Sequence, residues 1–161
     1  MQNFDNKIII GFTGSRSGLS AGQRRTFENF LKEMSKRAVR SRDNLLVVHG
    51  DCVGADADVG GVCKSLSVPT ATRPANMPHM RALTSTAALA PPEDPLLRNK
   101  KIVDDCNMLV ACPSSATEVL RSGTWATIRA GRKAKKQVFV ITPDGFMFED
   151  SPGPLSRKDV N

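Results

Sequence analysis

The sequence predicts an α/β fold: a three-layer sandwich whose five-stranded parallel sheet, in spatial order 3-2-1-4-5, has helices on both faces. Two observations predict it. Five apolar runs of strand length alternate along the chain with segments of helical periodicity. The chain has 161 residues, of which 40% are hydrophobic and 24% charged. It is therefore long enough for one core and too short for two ordinary domains.

The first half of the chain contains three predicted strands. Lys7–Gly14 (KIIIGFTG) and Leu45–His49 (LLVVH) are apolar runs that end at or just before a glycine, and Val68–Arg73 is shorter. A helix follows each of the first two strands, and a capping box at Ser20 and Gln23 begins the first helix. The apolar faces of the two helices comprise Phe27, Phe30, Leu31, Met34 and Ala38, then Ala55, Val59, Val62, Cys63 and Leu66.

The second half begins with an irregular segment. Residues 74–92 carry four prolines and no clear period, which predicts a loop or a short irregular helix. Asp94 as N-cap and Pro95 as the first helical residue begin a third helix. A fourth strand, a fourth helix and a fifth strand follow over Asn107–Cys112, Ser122–Lys135 and Gln137–Thr142.

The distribution of polar residues sets the expected boundaries. We expect one folded domain over residues 1–145 and a polar, flexible tail over residues 146–161. No stretch approaches the roughly 20 apolar residues of a membrane span. Met1–Lys7 is polar, whereas a signal peptide carries an apolar run. These features predict a cytoplasmic protein without membrane association.

The composition excludes several chemistries. The chain has no Tyr, one Trp and two His, so tyrosine acid catalysis and a histidine-rich metal site are excluded. Its four cysteines lack the close pairing of zinc ligands, and we expect them to be reduced thiols. Neither a metal nor a cofactor is predicted. The net charge of +7 favours anionic partners, meaning nucleotides, phosphates or nucleic acid.

Ligands of parallel α/β sheets bind outside the carboxyl ends of the strands, so the residues that follow the strands are the candidates for function. After the first strand, Gly14, Ser15 and Arg16 offer close backbone approach, a hydroxyl and guanidinium donors to a phosphate. A plain strand-to-helix turn is the alternative interpretation. The start of the fourth helix offers free N–H groups and hydroxyls to an anion, through Ser122, Gly123, Thr124 and Thr127.

The turn after the second strand is rich in glycine and carboxylates. It includes Gly50, Asp51 and Gly54 and opens the second helix. The Asp51 carboxylate is suited to accept hydrogen bonds from ribose hydroxyls or to orient a water. Capping of the second helix is an alternative role, to which we give equal weight. Asp56 lies in the first helical turn, where the helix dipole favours a carboxylate whatever the function.

Taken in order, these motifs resemble the SLOG superfamily. They read G-S-R, H-G-D-C-x-G-A-D, R-N-x-x-I-V-D-x-C, S-G-T-W-x-T-I-R and P-D-G, and the resemblance covers Ile8 to Gly145. The chain looks most like the small bacterial and phage members of that group. The resemblance implies a Rossmann-like fold with a nucleotide-like ligand at the glycine-rich strand ends.

Members of the superfamily differ in function. Lonely-Guy phosphoribohydrolases cleave the N-glycosidic bond of nucleoside 5′-monophosphates, DNA-processing protein A binds single-stranded DNA, and other members sense cyclic ADP-ribose-type signals. The hydrolases carry P-G-G-x-G-T-x-x-E, in which the Glu assists cleavage. Here Gly123 and Thr124 match the G-T pair, Arg98 matches an arginine of the enzymes, and Thr127 occupies the Glu position. The resemblance thus implies a retained phosphate site and a lost acid/base group.

Three functional hypotheses remain open. The first is binding of a nucleotide or nucleotide-derived small molecule, with phosphate contacts from the loops above and with Asn99 or Asp51 on ribose or base. The second is an N-glycosidase of nucleoside 5′-monophosphates, with Asp51 and Arg98 as catalytic candidates. The third is single-stranded nucleic-acid binding, for which aromatic platforms are scarce. A homodimer is compatible with each.

Two basic helix faces bear on the third hypothesis. Arg129, Arg132, Lys133 and Lys136 share a face of the fourth helix by their spacing. The first helix carries six cations and two glutamates: Arg24, Arg25, Lys32, Lys36, Arg37 and Arg40 against Glu28 and Glu33. A solvated surface is the alternative interpretation of both faces. Glu118, in the loop before the fourth helix, is expected to be a solvated charge.

Overall fold

The computed structural model describes residues 6–84 and 86–150. Its elements in chain order are β1 Lys7–Gly14, α1 Ala21–Ser41, β2 Asn44–His49, α2 Ala55–Ser65, β3 Thr70–Thr72, β4 Ala88–Leu89, α3 Pro95–Asp105, β5 Met108–Cys112, α4 Gly123–Lys133, β6 Gln137–Ile141 and β7 Met147–Glu149. A short 3₁₀ helix, Pro78–Met80, interrupts the long connection between β3 and β4.

All the strands form one sheet, in the order β4-β3-β2-β1-β5-β6-β7. Its five middle strands are the predicted ones, in the predicted order, and all of them pair in parallel. The prediction of five strands was wrong in number, because the sheet has a further strand at each edge. β4 pairs in parallel with β3, and β7 pairs antiparallel with β6.

The two edge strands lie in segments predicted to be a loop and a tail. β4 has two residues and β7 has three, lengths at which no apolar alternation can be recognised in the sequence. β7 is returned to the sheet by a turn in which the N–H of Gly145, at φ +90°, donates to the Thr142 carbonyl at 2.8 Å. The boundary predicted at residue 145 therefore falls inside an edge hairpin, and residues 151–161 lie outside the described residues.

Three of the helices, α1, α3 and α4, begin where their capping residues predict. Ser20 caps α1: its hydroxyl accepts from the Gln23 N–H at 3.0 Å, and the Gln23 side chain accepts from the Ser20 N–H at 3.0 Å. Asp94 caps α3, with Pro95 as its first residue. Ser122 caps α4 by accepting from the Trp125 N–H at 3.2 Å. Caps satisfy N–H groups that have no partner inside the helix, so they fix each helix start.

Two apolar layers hold the helices on opposite faces of the sheet. α1 and α2 cover one face, where Phe12 and Phe27 are fully buried. α3 and α4 cover the other face, with Ile128 as a fully buried example. Gly14 lets α2 approach the end of β1, because a Cβ there would lie 2.5 Å from the Cβ of Ala55. Within the described residues, no helix combines the length and hydropathy needed to cross a bilayer.

Candidate ligand-binding cleft

A cleft of about 430 Å³ opens at the carboxyl ends of the middle strands. Its walls come from the loops after β1 and β2, from the first turns of α3 and from the segment that enters α4. All of the predicted binding residues line it except Asp51, Gly54 and Thr127. The convergence follows from topology, because β1 lies between β2 and β5 and their connections leave it on opposite sides.

The amino end of α4 offers one wall of hydrogen-bond donors. Within the described residues the N–H groups of Gly123 and Thr124 have no acceptor, because the Ser122 cap reaches only Trp125 and Ala126. The Thr124 side chain lines the cleft and is 8% exposed, and its hydroxyl likewise has no partner in the described part of the chain. A Cβ on Gly123 would meet nothing within 4 Å. An anion can therefore approach this helix end directly.

Arg98 on α3 forms the floor of the cleft and is 7% exposed. Its Nη1 donates to the carbonyls of Gly50 at 2.7 Å and Arg73 at 3.2 Å, and its Nη2 contacts the Cys52 sulfur at 3.5 Å. Its Nε donates to Asn99 Oδ1 at 2.7 Å, which turns the Asn99 amide so that its NH₂ group remains available. Arg98 therefore joins the ends of β2 and β3 to α3, and most of its donors are already used.

Gly50 makes the burial of Arg98 possible. A Cβ at Gly50 would lie 2.2 Å from Arg98 Nη1 and 3.0 Å from Asp56 Oδ2. Both charged groups therefore occupy the space beside a residue without a side chain. This is a structural reason for glycine in the H-G-D motif, additional to any contact with a ligand.

Within the described residues, the arginines that line the cleft form no direct ion pair with a carboxylate. Arg16, Arg98 and Arg121 have no ion-pair partner among residues 6–84 and 86–150. In contrast, Arg24, Arg73, Arg81, Arg129 and Arg132 are all ion-paired. Unpaired guanidinium groups converging on one cleft favour an anionic ligand.

One carboxylate, Asp56, lines the cleft within the described part of the chain. Its Oδ2 accepts from the Cys52 N–H at 3.1 Å, and the side chain is almost fully buried. Burial raises the pKa of Asp56 above 3.8, against the opposing effects of His49, the Cys52 N–H and Arg98. Burial also lowers the pKa of His49 and raises the pKa of Cys52. His49 and the Cys52 thiol are therefore held in their neutral forms.

The raised pKa of Asp56 gives a testable dependence of stability on pH. The folded state binds the Asp56 proton more tightly than the unfolded state, so this contribution is complete below about pH 3.9 and is lost as the pH rises through the folded pKa. Asn at this position does not titrate. We expect the free energy of unfolding of Asp56→Asn, relative to wild type, to increase with pH above about 4. Urea unfolding at several pH values measures it.

The control for that series is Asp104→Asn, which removes an exposed carboxylate with no side-chain partner in the described residues. A relative stability of Asp56→Asn that stays constant or decreases over the same pH range would contradict the expectation.

The structure places Asp51 outside the cleft. Its Oδ1 accepts from the Thr84 N–H at 2.9 Å and from the Thr84 hydroxyl at 2.7 Å, and its Oδ2 accepts from Arg81 at 3.3 Å. The residue is 1% exposed and has a left-handed backbone at φ +55°. Asp51 therefore ties the loop after β2 to the segment before β4. Its carboxylate oxygens are engaged there and do not face a ligand.

Thr127 and Gly54 also lie outside the cleft lining. The Thr127 hydroxyl donates to the Gly123 carbonyl at 2.9 Å, one turn back along α4, and the side chain is 1% exposed. Gly54 has φ +95°, and a Cβ there would lie 2.2 Å from the Arg16 carbonyl oxygen. Gly54 thus shapes the cleft by letting the loop after β2 pass close to the loop that carries Arg16.

Sequence reasoning missed Cys52, Asp56, Ser114 and Arg121 as lining residues. Cys52 and Asp56 were visible inside the H-G-D-C-x-G-A-D motif, but which of its side chains face inward depends on the left-handed turn at Asp51. Ser114 follows the strand that ends at Cys112, so the rule that favours strand ends could have found it. Arg121 lies in a loop without periodicity, and no sequence signal directed it to the cleft.

The two arginines of the basic face predicted on α4 are ion-paired. Arg132 pairs with Glu118 at 2.8 Å and with Asp150, and Arg129 pairs with Glu118 at 3.6 Å. Lys136 donates to the Cys106 carbonyl at 2.8 Å. Glu118 is exposed, as expected for a solvated loop charge, and in addition it bridges both arginines. Lys133 is exposed and has no ion-pair partner in the described residues, so the face keeps part of its positive charge.

The fold and the cleft together define a class: a Rossmann-like α/β protein whose candidate site lies at the carboxyl edge of a mostly parallel sheet. Two solved structures are similar to this chain. A molybdenum cofactor binding protein from the phototrophic bacterium Rippkaea orientalis superposes with a TM-score of 0.65 and 16% identity, over 86% of this chain and 78% of that one. The structural-genomics target TM1055 superposes with a TM-score of 0.56 and 14% identity, over 81% of this chain and 72% of that one. No protein-family model and no curated protein matches the sequence. At these identities the likeness shows the fold alone.

Proposed function

We propose that this protein binds a nucleotide, or a nucleotide-derived small molecule, in the cleft at the carboxyl ends of β1, β2 and β5. The observation that carries the proposal is the combination of two groups of donors. The N–H groups of Gly123 and Thr124, at the unobstructed start of α4, have no acceptor in the described residues, and three cleft arginines have no ion-pair partner there. Free N–H groups and guanidinium donors together are suited to a phosphate.

The remaining lining residues suit the uncharged part of such a ligand. The Asn99 NH₂ group and the Asp56 carboxylate offer a donor and an acceptor within the same cleft. Pro95, Leu96 and Ile102 add apolar surface on the α3 side, and Leu96 is 75% exposed. A ligand with a phosphate at α4 and a hydrogen-bonding, partly apolar remainder over α3 matches this distribution.

Membership of the SLOG superfamily is part of the proposal. It rests on the order of motifs along the chain and is compatible with the observed Rossmann-like fold. One structural neighbour is named for binding the molybdenum cofactor, so that cofactor belongs in any ligand panel beside the nucleotides.

Turnover of a nucleoside monophosphate is the alternative, and the cleft gives it little support. Thr127, at the position of the hydrolases' Glu, is buried and bonded to its own helix, and Asp51 is engaged by Arg81 and Thr84. We therefore expect little or no release of free base from common nucleoside monophosphates. Chromatographic detection of free base after prolonged incubation measures it. Rapid release that is lost in Arg98→Ala would replace the binding proposal with the enzyme.

A ligand panel tests the binding proposal. The thermal unfolding midpoint is measured with nucleoside mono- and diphosphates, cyclic nucleotides, the molybdenum cofactor and inorganic phosphate. A ligand that binds only the folded state raises the midpoint. At a concentration of 100 times its Kd, it raises the free energy of unfolding by about 2.7 kcal/mol. We expect at least one phosphate-bearing organic ligand to raise it more than inorganic phosphate does. A panel without any shift would contradict the proposal.

Substitution of Arg16 tests whether a cleft arginine contributes to ligand affinity. It is exposed, lines the cleft and has no ion-pair partner among the described residues, so its removal should leave the fold intact. We expect Arg16→Ala to weaken binding of the selected ligand by about 1.5–3 kcal/mol, the range for hydrogen bonds to charged groups. Calorimetry measures the change. Arg25→Ala, which removes an exposed α1 cation outside the cleft lining, is the control.

A further inference from the structure

A second basic surface lies at the carboxyl end of α1, beside the amino ends of the strands, whereas the cleft lies at their carboxyl ends. It consists of Lys36, Arg37, Arg40 and Arg42, all of them exposed, and we call it the α1 basic patch. α1 has 21 residues, so its two ends are about 30 Å apart, and the patch lies where β2 begins. A ligand in the cleft therefore cannot reach it.

The arginines of the patch are free, in contrast to those of α4. Arg37, Arg40 and Arg42 have no ion-pair partner in the described part of the chain, whereas Arg129 and Arg132 are bridged by Glu118. Lys36 pairs with Glu33 at 3.3 Å, but both side chains are about 70% exposed, so the pair is worth little. The nearest other acid, Asp43, accepts a hydrogen bond from Ser41.

Helix stability does not explain the whole cluster. Cations stabilise the last turn of a helix through its dipole, and here that turn holds only Arg40. Arg37 precedes the last turn, and Arg42 is the C-cap, with a left-handed backbone at φ +59°. Three of the four cations are arginines, whose planar donors suit phosphate oxygens.

We propose that the α1 basic patch binds the phosphate backbone of double-stranded nucleic acid, without sequence preference. Lys36 and Arg40 lie about 6 Å apart along the helix axis. A DNA duplex carries a phosphate about every 1.7 Å of its axis, so neighbouring cations of the patch can contact separate phosphates. No aromatic residue belongs to the patch, and single-stranded nucleic acid is normally held by stacking of its bases on exposed rings. A duplex presents phosphates at higher charge density and needs no such rings.

The test is the salt dependence of binding to a short, labelled DNA duplex of mixed sequence, followed by fluorescence anisotropy. Four phosphate contacts predict a slope of log K against log salt of about −3.6. We expect the double variant Arg37→Ala/Arg40→Ala to reduce the magnitude of the slope by about 2, because each lost contact removes about one unit. Alanine is the best helix former, and both sites are exposed, so the variant keeps its fold. Its thermal midpoint verifies this.

The control removes two exposed cations elsewhere, Lys100 and Lys133, by substitution with alanine. The control variant should keep the wild-type slope. Saturating the cleft with the ligand selected from the panel should leave the affinity for the duplex unchanged. An equal decrease of the slope in the two double variants would overturn the proposal. An unchanged slope in Arg37→Ala/Arg40→Ala, or the absence of duplex binding at low salt, would overturn it as well. Tighter binding to a single strand of the same sequence would overturn the choice of a duplex.

Discussion

Replacing Gly54 by alanine should lower the free energy of unfolding by about 3 kcal/mol or more. Two costs act together. The backbone of Gly54, at φ +95° and ψ −128°, lies in a region that residues with a side chain rarely adopt. An added Cβ would also lie 2.2 Å from the Arg16 carbonyl oxygen and 2.5 Å from its carbon, which are backbone atoms with no freedom to rotate away.

Gly61→Ala is the control for this prediction. Gly61 belongs to α2, the helix that Gly54 precedes, and nothing lies within 4 Å of a Cβ built there. Alanine in an open helical position stabilises by about 0.5–1 kcal/mol relative to glycine, so the two variants should differ in sign. Urea unfolding measures both. A Gly54→Ala protein as stable as wild type would mean that the two loops are not in contact as described.

Replacing Gly123 by leucine should abolish binding of the cleft ligand while leaving the fold intact. The side chain would extend from the first residue of α4, where a Cβ meets no atom within 4 Å, into the cleft that Gly123 lines. It would block approach to the N–H groups of Gly123 and Thr124. We expect the loss of about 100-fold or more in affinity, since hydrogen bonds to a charged group contribute about 1.5–3 kcal/mol each.

Calorimetry with the ligand selected from the panel measures this effect, and circular dichroism verifies the fold. Gly61→Leu is the matched control, because it places the same side chain on a helical glycine that is equally open but does not line the cleft. Binding of Gly123→Leu at wild-type affinity would move the phosphate site away from α4. Equal loss of binding in the two variants would instead indicate a general effect of leucine on the fold.

The sequence was most informative where a pattern is local. The strand run ending at Gly14 and the N-caps Ser20, Asp94 and Ser122 are fixed by residues within a few positions, so the bounds of these elements follow from the local sequence. The strand order was predicted from the rules for alternating strands and helices. β4 and β7 were missed because each depends on pairing with a neighbour rather than on its own composition.

The direction in which side chains point was harder to predict from the sequence than the bounds of the helices and strands. Asp51 and Asp56 belong to one motif, and both are carboxylates near the start of α2. The left-handed backbone at Asp51 directs its carboxylate toward Arg81 and Thr84, whereas Asp56 faces the cleft. Glu118 likewise gained partners that lie 11 and 14 residues along the chain. No spacing rule encodes such contacts.

By itself the sequence determined the five parallel middle strands and the helices between them, and it predicted an anion site at the strand ends, because apolar periodicity, caps and glycine turns act over short distances. Only the tertiary structure decided which charges are free. Ion pairs join segments distant in the chain, so the neutralised arginines of α4, the unpaired arginines of the cleft and the exposed end of α1 became distinguishable once the elements were packed together.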